Sequence, residues 1–224
     1  DGTQKPLIWI FNSPEKEMAA MKKQMSLEQP IYGGFSGQGL VKKDTSTFEA
    51  LIELYVNEIS SRFISGSLKI GGNCHGGQLA FRIAQRLIED GRQVQKLILL
   101  EFSDPGLYNL NSNMLLLFGR QSKLKAYKPI HWGENDWLGH FKNQPIVGWV
   151  NGFHGGLFRS ENVELTCLAL ENFLEDRKIN IQTLETREGQ STLRLHNRHI
   201  LFYIYRKIYR FKAHLSDIFY RKNN

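Results

Sequence analysis

The chain is poor in cysteine: Cys74 and Cys167 are the only two among 224 residues. Two cannot build a disulfide framework, so we expect a reducing, cytoplasmic setting. No apolar run approaches the roughly 20 residues that a membrane-spanning helix needs. There is no internal repeat, no low-complexity tract and no fold signature of a nucleic-acid binder. The G-x-G-x-x-G spacing of a dinucleotide-binding turn is missing, although glycines crowd one strand end. The sequence opens on Asp1, not methionine, and no charged-then-apolar leader follows, so we expect an excised or processed piece of something longer. What remains is 41% hydrophobic, enough to fill the core of one domain.

The net charge of +7 is unevenly placed. Beyond Ser191 stand eight basic residues (Arg194, Arg198, Arg206, Lys207, Arg210, Lys212, Arg221 and Lys222) against Asp217 alone, which accounts for the whole excess. The body is therefore neutral and the tail basic. Within that tail Leu201, Ile204, Ile208, Phe211, Leu215 and Ile218 recur at steps of three and four, which predicts an amphipathic helix. We divide the chain into a body, 1–177, and a linker with a basic helical extension, 178–224. The apolar stripe would be covered by the body or by a partner helix, including through self-association.

The body alternates buried-strand runs with helical patterns, which predicts an α/β fold with a mostly parallel sheet and helices on both faces. Strands are expected at 7–11, 31–35, 68–71, 96–100, 113–118 and 144–150. Helices are expected at 15–25, 47–64, 78–90 and 161–176, the last with Ser160 as N-cap. Cys167 lies on the apolar stripe of that last helix and is read as core.

The most informative stretch runs from Leu68 to Phe81. Its Gly72-x-Cys74-x-Gly76 spacing is that of a nucleophile elbow, a sharp strand-to-helix turn with the reactive side chain at its apex. Glycine is required where a side chain would collide between strand and helix. The competing readings are a phosphate-cradling turn and an inert cysteine at a strand end. A cysteine nucleophile needs a base beside it and an acid to orient that base. His75 follows Cys74 directly, so its side chain points away and its backbone N–H is the useful group, as an oxyanion donor. His154, between the last strand and the last body helix, falls at the same sheet edge as the elbow. Glu101 closes the apolar run 97–100 and emerges there too. The order nucleophile, acid, histidine is that of α/β-hydrolases. Glu134 and Asp136, after the next strand, remain alternatives for the acid.

From about Pro6 to Asp176 the chain resembles a thioesterase domain of nonribosomal peptide and polyketide synthases. The resemblance is carried by Pro6-Leu7-Ile8-Trp9-Ile10, Gln29-Pro30-Ile31-Tyr32-Gly33, Gly37-Gln38-Gly39-Leu40, Gly72-Asn73-Cys74-His75-Gly76-Gly77, Leu79-Ala80-Phe81-Arg82-Ile83-Ala84, Leu97-Ile98-Leu99-Leu100-Glu101 and Gly152-Phe153-His154. It implies that Cys74 takes an acyl or peptidyl group from a carrier protein's phosphopantetheine thioester, with His154 as base and Glu101 as its partner. A second oxyanion N–H would come from Asn12 or Ser13, after the first strand. No tightly bound cofactor, metal or nucleic acid is implied. This chain departs from the family pattern in four ways. It has cysteine for serine with glutamate for aspartate, its first loop is Phe11-Asn12-Ser13-Pro14, the lid after the acid-bearing strand is shortened, and the tail from about Lys178 lies outside the resemblance. A relative that docks a carrier without chemistry is the competing functional reading.

Overall fold

The computed structural model describes residues 4–26, 28–39, 45–102, 110–122, 143, 145–159 and 162–179. Within them the order is β1 (Leu7–Phe11), α1 (Pro14–Gln24), β2 (Ile31–Phe35), α2 (Thr45–Arg62), β3 (Leu68–Asn73), α3 (His75–Glu89), β4 (Val94–Leu100), β5 (Asn113–Gly119), β6 (Ile146–Val150) and α4 (Val163–Leu174). The six strands form one sheet in the order β2-β1-β3-β4-β5-β6. Every pairing is parallel, so the expected mostly parallel sheet is wholly parallel among the described residues.

Side chains alternate across the strands and divide the core into two layers. Ile8, Ile10, Ile70, Leu97, Leu99, Met114, Leu116 and Phe118 pack with α2 and α3. Leu7, Trp9, Phe11, Ile98, Leu100, Leu115 and Leu117 pack with α1 and α4. Burial on both faces explains why β4 and β5 read as continuous apolar runs. Cys167, 1% exposed, is in the second layer as expected.

Topology decides where the site lies. The chain steps outward from β1 to β2, then returns to β3 on the other side of β1. The carboxyl ends of β1 and β3 therefore flank a switch point, where the loops leaving the two strands diverge and open a crevice. The elbow sits at the end of β3, between the loops that leave β1 and β4.

Several boundaries differ from the sequence expectation. Helix α3 begins at His75, not at residue 78, with Gly76 and Gly77 inside its first turn. A Cβ at Gly72 would lie 2.4 Å from the Gly76 carbonyl oxygen, and one at Gly76 would lie 2.2 Å from that of Ile10. Close backbone approach, not helix propensity, selects these glycines. Helix α4 begins at Val163 with Asn162, not Ser160, at its N-cap, and the Asn162 side chain makes no capping bond but donates to the Gly156 carbonyl in the preceding loop. Strand β4 starts earlier than expected, at Val94, and β6 later, at Ile146. Ser160, the basic tail helix, most of the linker, most of the proposed lid, and Glu134 and Asp136 lie outside the described residues.

Candidate active site

Cys74 is placed by strain. Its φ of 54° and ψ of −116° put it in a region that L side chains avoid, at a cost of about 1–3 kcal/mol. The turn is held by the Cys74 N–H, which donates to the Leu100 carbonyl at 2.7 Å, and by the Gln78 N–H, which donates to the Cys74 carbonyl at 3.1 Å. Glu101 has a φ of 52°. Of the three non-glycine residues with positive φ among the described residues, two are therefore Cys74 and Glu101.

Three side chains meet in a line. Cys74 Sγ lies 3.1 Å from His154 Nε2, and His154 Nδ1 lies 2.8 Å from Glu101 Oε2. Glu101 is fully covered, whereas the imidazole is 40% exposed. The thiol and the carboxylate on either side of it hold the His154 imidazolium up to about 10, the thiol contact being the larger cause; desolvation opposes both. At neutral pH both ring nitrogens then carry protons, Nδ1–H donating to Glu101 and Nε2–H facing sulfur. Cys167 has the opposite environment: burial, then Glu171, pushes its thiol up to about 12, so it is inert.

The supports of this line were not legible in the sequence. Glu101 Oε2 also accepts the Ser122 hydroxyl at 2.7 Å, and Oε1 accepts the Gly119 N–H. Gly119 has no room for a side chain, since a Cβ there would be 2.7 Å from the Gly152 carbonyl oxygen. Asn162, 3% exposed, donates through Nδ2 to the Gly156 carbonyl at 3.0 Å and braces the loop that carries His154. Thr166 Oγ1 adds a bond to the Leu157 carbonyl at 2.9 Å. The signal for Asn162 was its position just before an apolar helix; for Ser122 there was none.

The expected oxyanion donors divide. His75 is the first residue of α3, so its backbone N–H stands in the first turn directly after Cys74. Asn12 and Ser13 do lie beside the elbow: the same Cβ at Gly76 would be 3.4 Å from the Asn12 nitrogen. Their N–H groups, however, are engaged. Asn12 N–H donates to Glu17 Oε2 at 3.2 Å and Ser13 N–H to Glu17 Oε1 at 3.1 Å. The loop is at the right place with its donors given to a carboxylate that the sequence reading left out. Among the described residues no group of histidine, cysteine, aspartate and glutamate could hold a metal ion, and no helix is long and apolar enough to cross a membrane.

A wholly parallel sheet with a strained cysteine at the end of its central strand, an acid after the next strand and a histidine after the last describes an α/β-hydrolase fold. Within that class, residues 9–117 match the thioesterase domain family. The chain resembles the thioesterase domains of nonribosomal peptide and polyketide synthases in fold as well. The NocB thioesterase domain, solved in covalent complex with a fluorophosphonate nocardicin G analogue, is 14% identical with a TM-score of 0.59, over 77% of this chain and 96% of that one. The RedJ thioesterase of prodiginine biosynthesis in Streptomyces coelicolor is 12% identical with a TM-score of 0.59, over 74% and 84%. A four-domain nonribosomal peptide synthetase, bound to AMP and glycine, is 14% identical with a TM-score of 0.60. The match covers 76% of this chain but only 19% of that synthetase. Such identities establish the fold alone. Among curated proteins none matches the sequence.

Proposed function

We propose that the chain off-loads an acyl or peptidyl group from a phosphopantetheine carrier through a Cys74 thioester, as a thioesterase or acyltransferase. The observation that carries this reading is the unbroken line from Cys74 Sγ through His154 to Glu101. The Cys74 sulfur attacks the thioester carbonyl carbon, forming a C–S bond while the carbonyl electron pair moves to oxygen. The His75 N–H serves the resulting oxyanion. When the pair returns, the bond to the phosphopantetheine sulfur breaks and that sulfur takes the proton from His154 Nε2. In the second half an acceptor O–H or N–H gives its proton to His154 Nε2 and attacks acyl-Cys74; the C–S bond breaks and the Cys74 sulfur leaves with the electron pair, beside the imidazolium so restored. Glu101 orients the imidazole throughout.

Cysteine changes the energetics of the first half. Exchange of one thioester for another is nearly isoenergetic, so the acyl-enzyme stays reactive toward amines, thiols or an internal hydroxyl as well as water. Cyclisation and transfer therefore stand beside hydrolysis. The carrier is the implied partner, a free thiol nucleophile suits a reducing compartment such as the cytoplasm, and residues 178–224 are taken as an extension separate from the catalytic unit.

Incubation with an acyl-N-acetylcysteamine thioester should add one acyl mass to Cys74, and Cys74→Ala should show neither adduct nor turnover. Absence of an adduct, with turnover unchanged in Cys74→Ala, would remove the reading. The engagement of Asn12 and Ser13 by Glu17 favours the second reading, a docking module without chemistry, which carrier binding with no adduct would support.

A further inference from the structure

Glu17 is a buried carboxylate that the acyl-transfer steps do not use. It lies in the first turns of α1, where an acid commonly serves the helix terminus from the surface. Here it is only 3% exposed, and among the described residues no cationic side chain pairs with it. Its three partners are all neutral N–H donors: Asn12 N–H, Ser13 N–H and the Asn73 side chain, whose Nδ2 donates to Oε1 at 2.9 Å. Asn73 immediately precedes the nucleophile. The carboxylate thus touches both walls of the crevice at once, the loop after β1 and the elbow at the end of β3.

Two consequences follow for a reaction that places negative charge on oxygen at this edge. Two backbone donors next to the first turn of α3 are withheld from that oxygen. A fixed carboxylate also stands behind them, and like charge opposes the developing one. We propose that Glu17 is a positioning residue that limits the supply of oxyanion donors, and that releasing Asn12 or Ser13 from its carboxylate strengthens acyl transfer to Cys74. The inference rests on the Cys74 reading above.

Glu17→Gln separates the parts with almost no change of volume. A glutamine has one acceptor oxygen, and its amide NH₂ cannot receive an N–H. If the oxygen stays with Ser13 and Asn73, Asn12 is released. If it turns to Asn12, the NH₂ faces Asn73, whose buried Oδ1 has no partner among the described residues and can receive it, and Ser13 is released. Either orientation frees one loop donor and removes the charge.

The test is the rate of acyl-Cys74 formation from an acyl-N-acetylcysteamine thioester, by intact mass, in the wild type and Glu17→Gln. Amide hydrogen exchange of Asn12 and Ser13, by NMR on the same two proteins, accompanies it. We expect acylation to rise about tenfold, short of the 10²–10³-fold that one complete donor supplies, and one of the two amides to exchange faster. An unchanged or slower rate in a variant whose thermal melt shows it folded overturns the inference. So does protection of both amides unchanged from the wild type. If Glu17→Gln does not fold, the wild type with a covalently bound acyl aldehyde on Cys74 decides. Unmoved Asn12 and Ser13 resonances in that tetrahedral adduct would fit the inference, and donation of either to the adduct oxygen with Glu17 still in place would overturn it. No adduct in either protein, with an amide released, retires the Cys74 chemistry and leaves the hold of Glu17 on the donors standing.

Discussion

Glu101 and Glu17 stand at the same carboxyl edge of the sheet, 2% and 3% exposed, and each collects three donors. Glu101 receives the Gly119 N–H, the Ser122 hydroxyl and His154 Nδ1. Glu17 receives two backbone N–H groups and an asparagine amide. What separates them is one partner. Glu101 faces a group that can take up and release a proton, so its charge is converted into the orientation and protonation of an imidazole. The partners of Glu17 are amides that cannot titrate. Burial raises its pKa, and the bonds from Asn73, Asn12 and Ser13 only partly offset this. A buried carboxylate with a titratable neighbour orients that neighbour, and one held by amides clamps backbone.

The sharpest way to break this comparison is to neutralise each acid in turn. Glu101→Gln keeps the shape but cannot accept Nδ1–H in the same way, and loss of the orienting acid in a triad costs on the order of 10⁴-fold in rate. Steady-state turnover of an acyl-N-acetylcysteamine thioester should fall by about that factor. Glu134→Gln and Asp136→Asn should stay within a few-fold of wild type. The reverse ranking would move the acid's role away from Glu101.

A smaller effect is expected one step further out. Ser122 donates to the same Oε2 that holds His154, so its hydroxyl competes with and steadies that contact. A hydrogen bond to a charged group is worth about 1.5–3 kcal/mol. Ser122→Ala should therefore lower kcat by roughly tenfold or somewhat more, with KM little changed, and Ser122→Thr should recover most of it. A shift in KM alone would mean that Ser122 acts on binding, not on Glu101.

Backbone-level demands were readable in the sequence, and side-chain competition for polar groups was not. The elbow could be read because no other residue type fits Gly72 and Gly76, and Glu101 because a charge that ends four apolar residues marks a strand end. His154 followed from the order of elements. Lys96 was read only as the start of a strand. It is 1% exposed, and its Nζ donates to the Phe173 and Leu174 carbonyls at 2.8 and 2.9 Å, closing the end of α4. Its partner in that role lies more than seventy residues away in sequence, so no local pattern records it. Glu17 was not singled out for the same reason: an acid in the first turns of a helix carries no local mark of burial, and only the approach of the β1 loop and Asn73 buries it. Asn12 and Ser13 were placed at the right edge by resemblance, but the receiver of their N–H groups is a tertiary matter. The order of strands in the sheet, which creates the crevice, was likewise not in any local signal.

The smallest effects expected are in the pH dependence of stability, where the comparison extends to His154. Both Glu17 and His154 have folded pKa values above their ordinary ones, so the folded state binds both protons more tightly than the unfolded state does. By linkage, stability must fall as pH rises through each window. The contribution of Glu17 is fully present below its ordinary value of 4.5 and is lost as pH climbs to its raised value. That of His154 is fully present below 6.5 and is lost as pH passes through about 10. Thermal melts of the wild type, Glu17→Gln and His154→Gln from pH 4 to 10.5 separate the two. Glu17→Gln should flatten the acidic descent and leave the alkaline one, and His154→Gln the reverse. The His154 step should be modest and should shrink in salt, because a side chain 40% exposed is screened by solvent. If the alkaline descent survives in His154→Gln unchanged, the proton is not held where the line from Cys74 to Glu101 requires it.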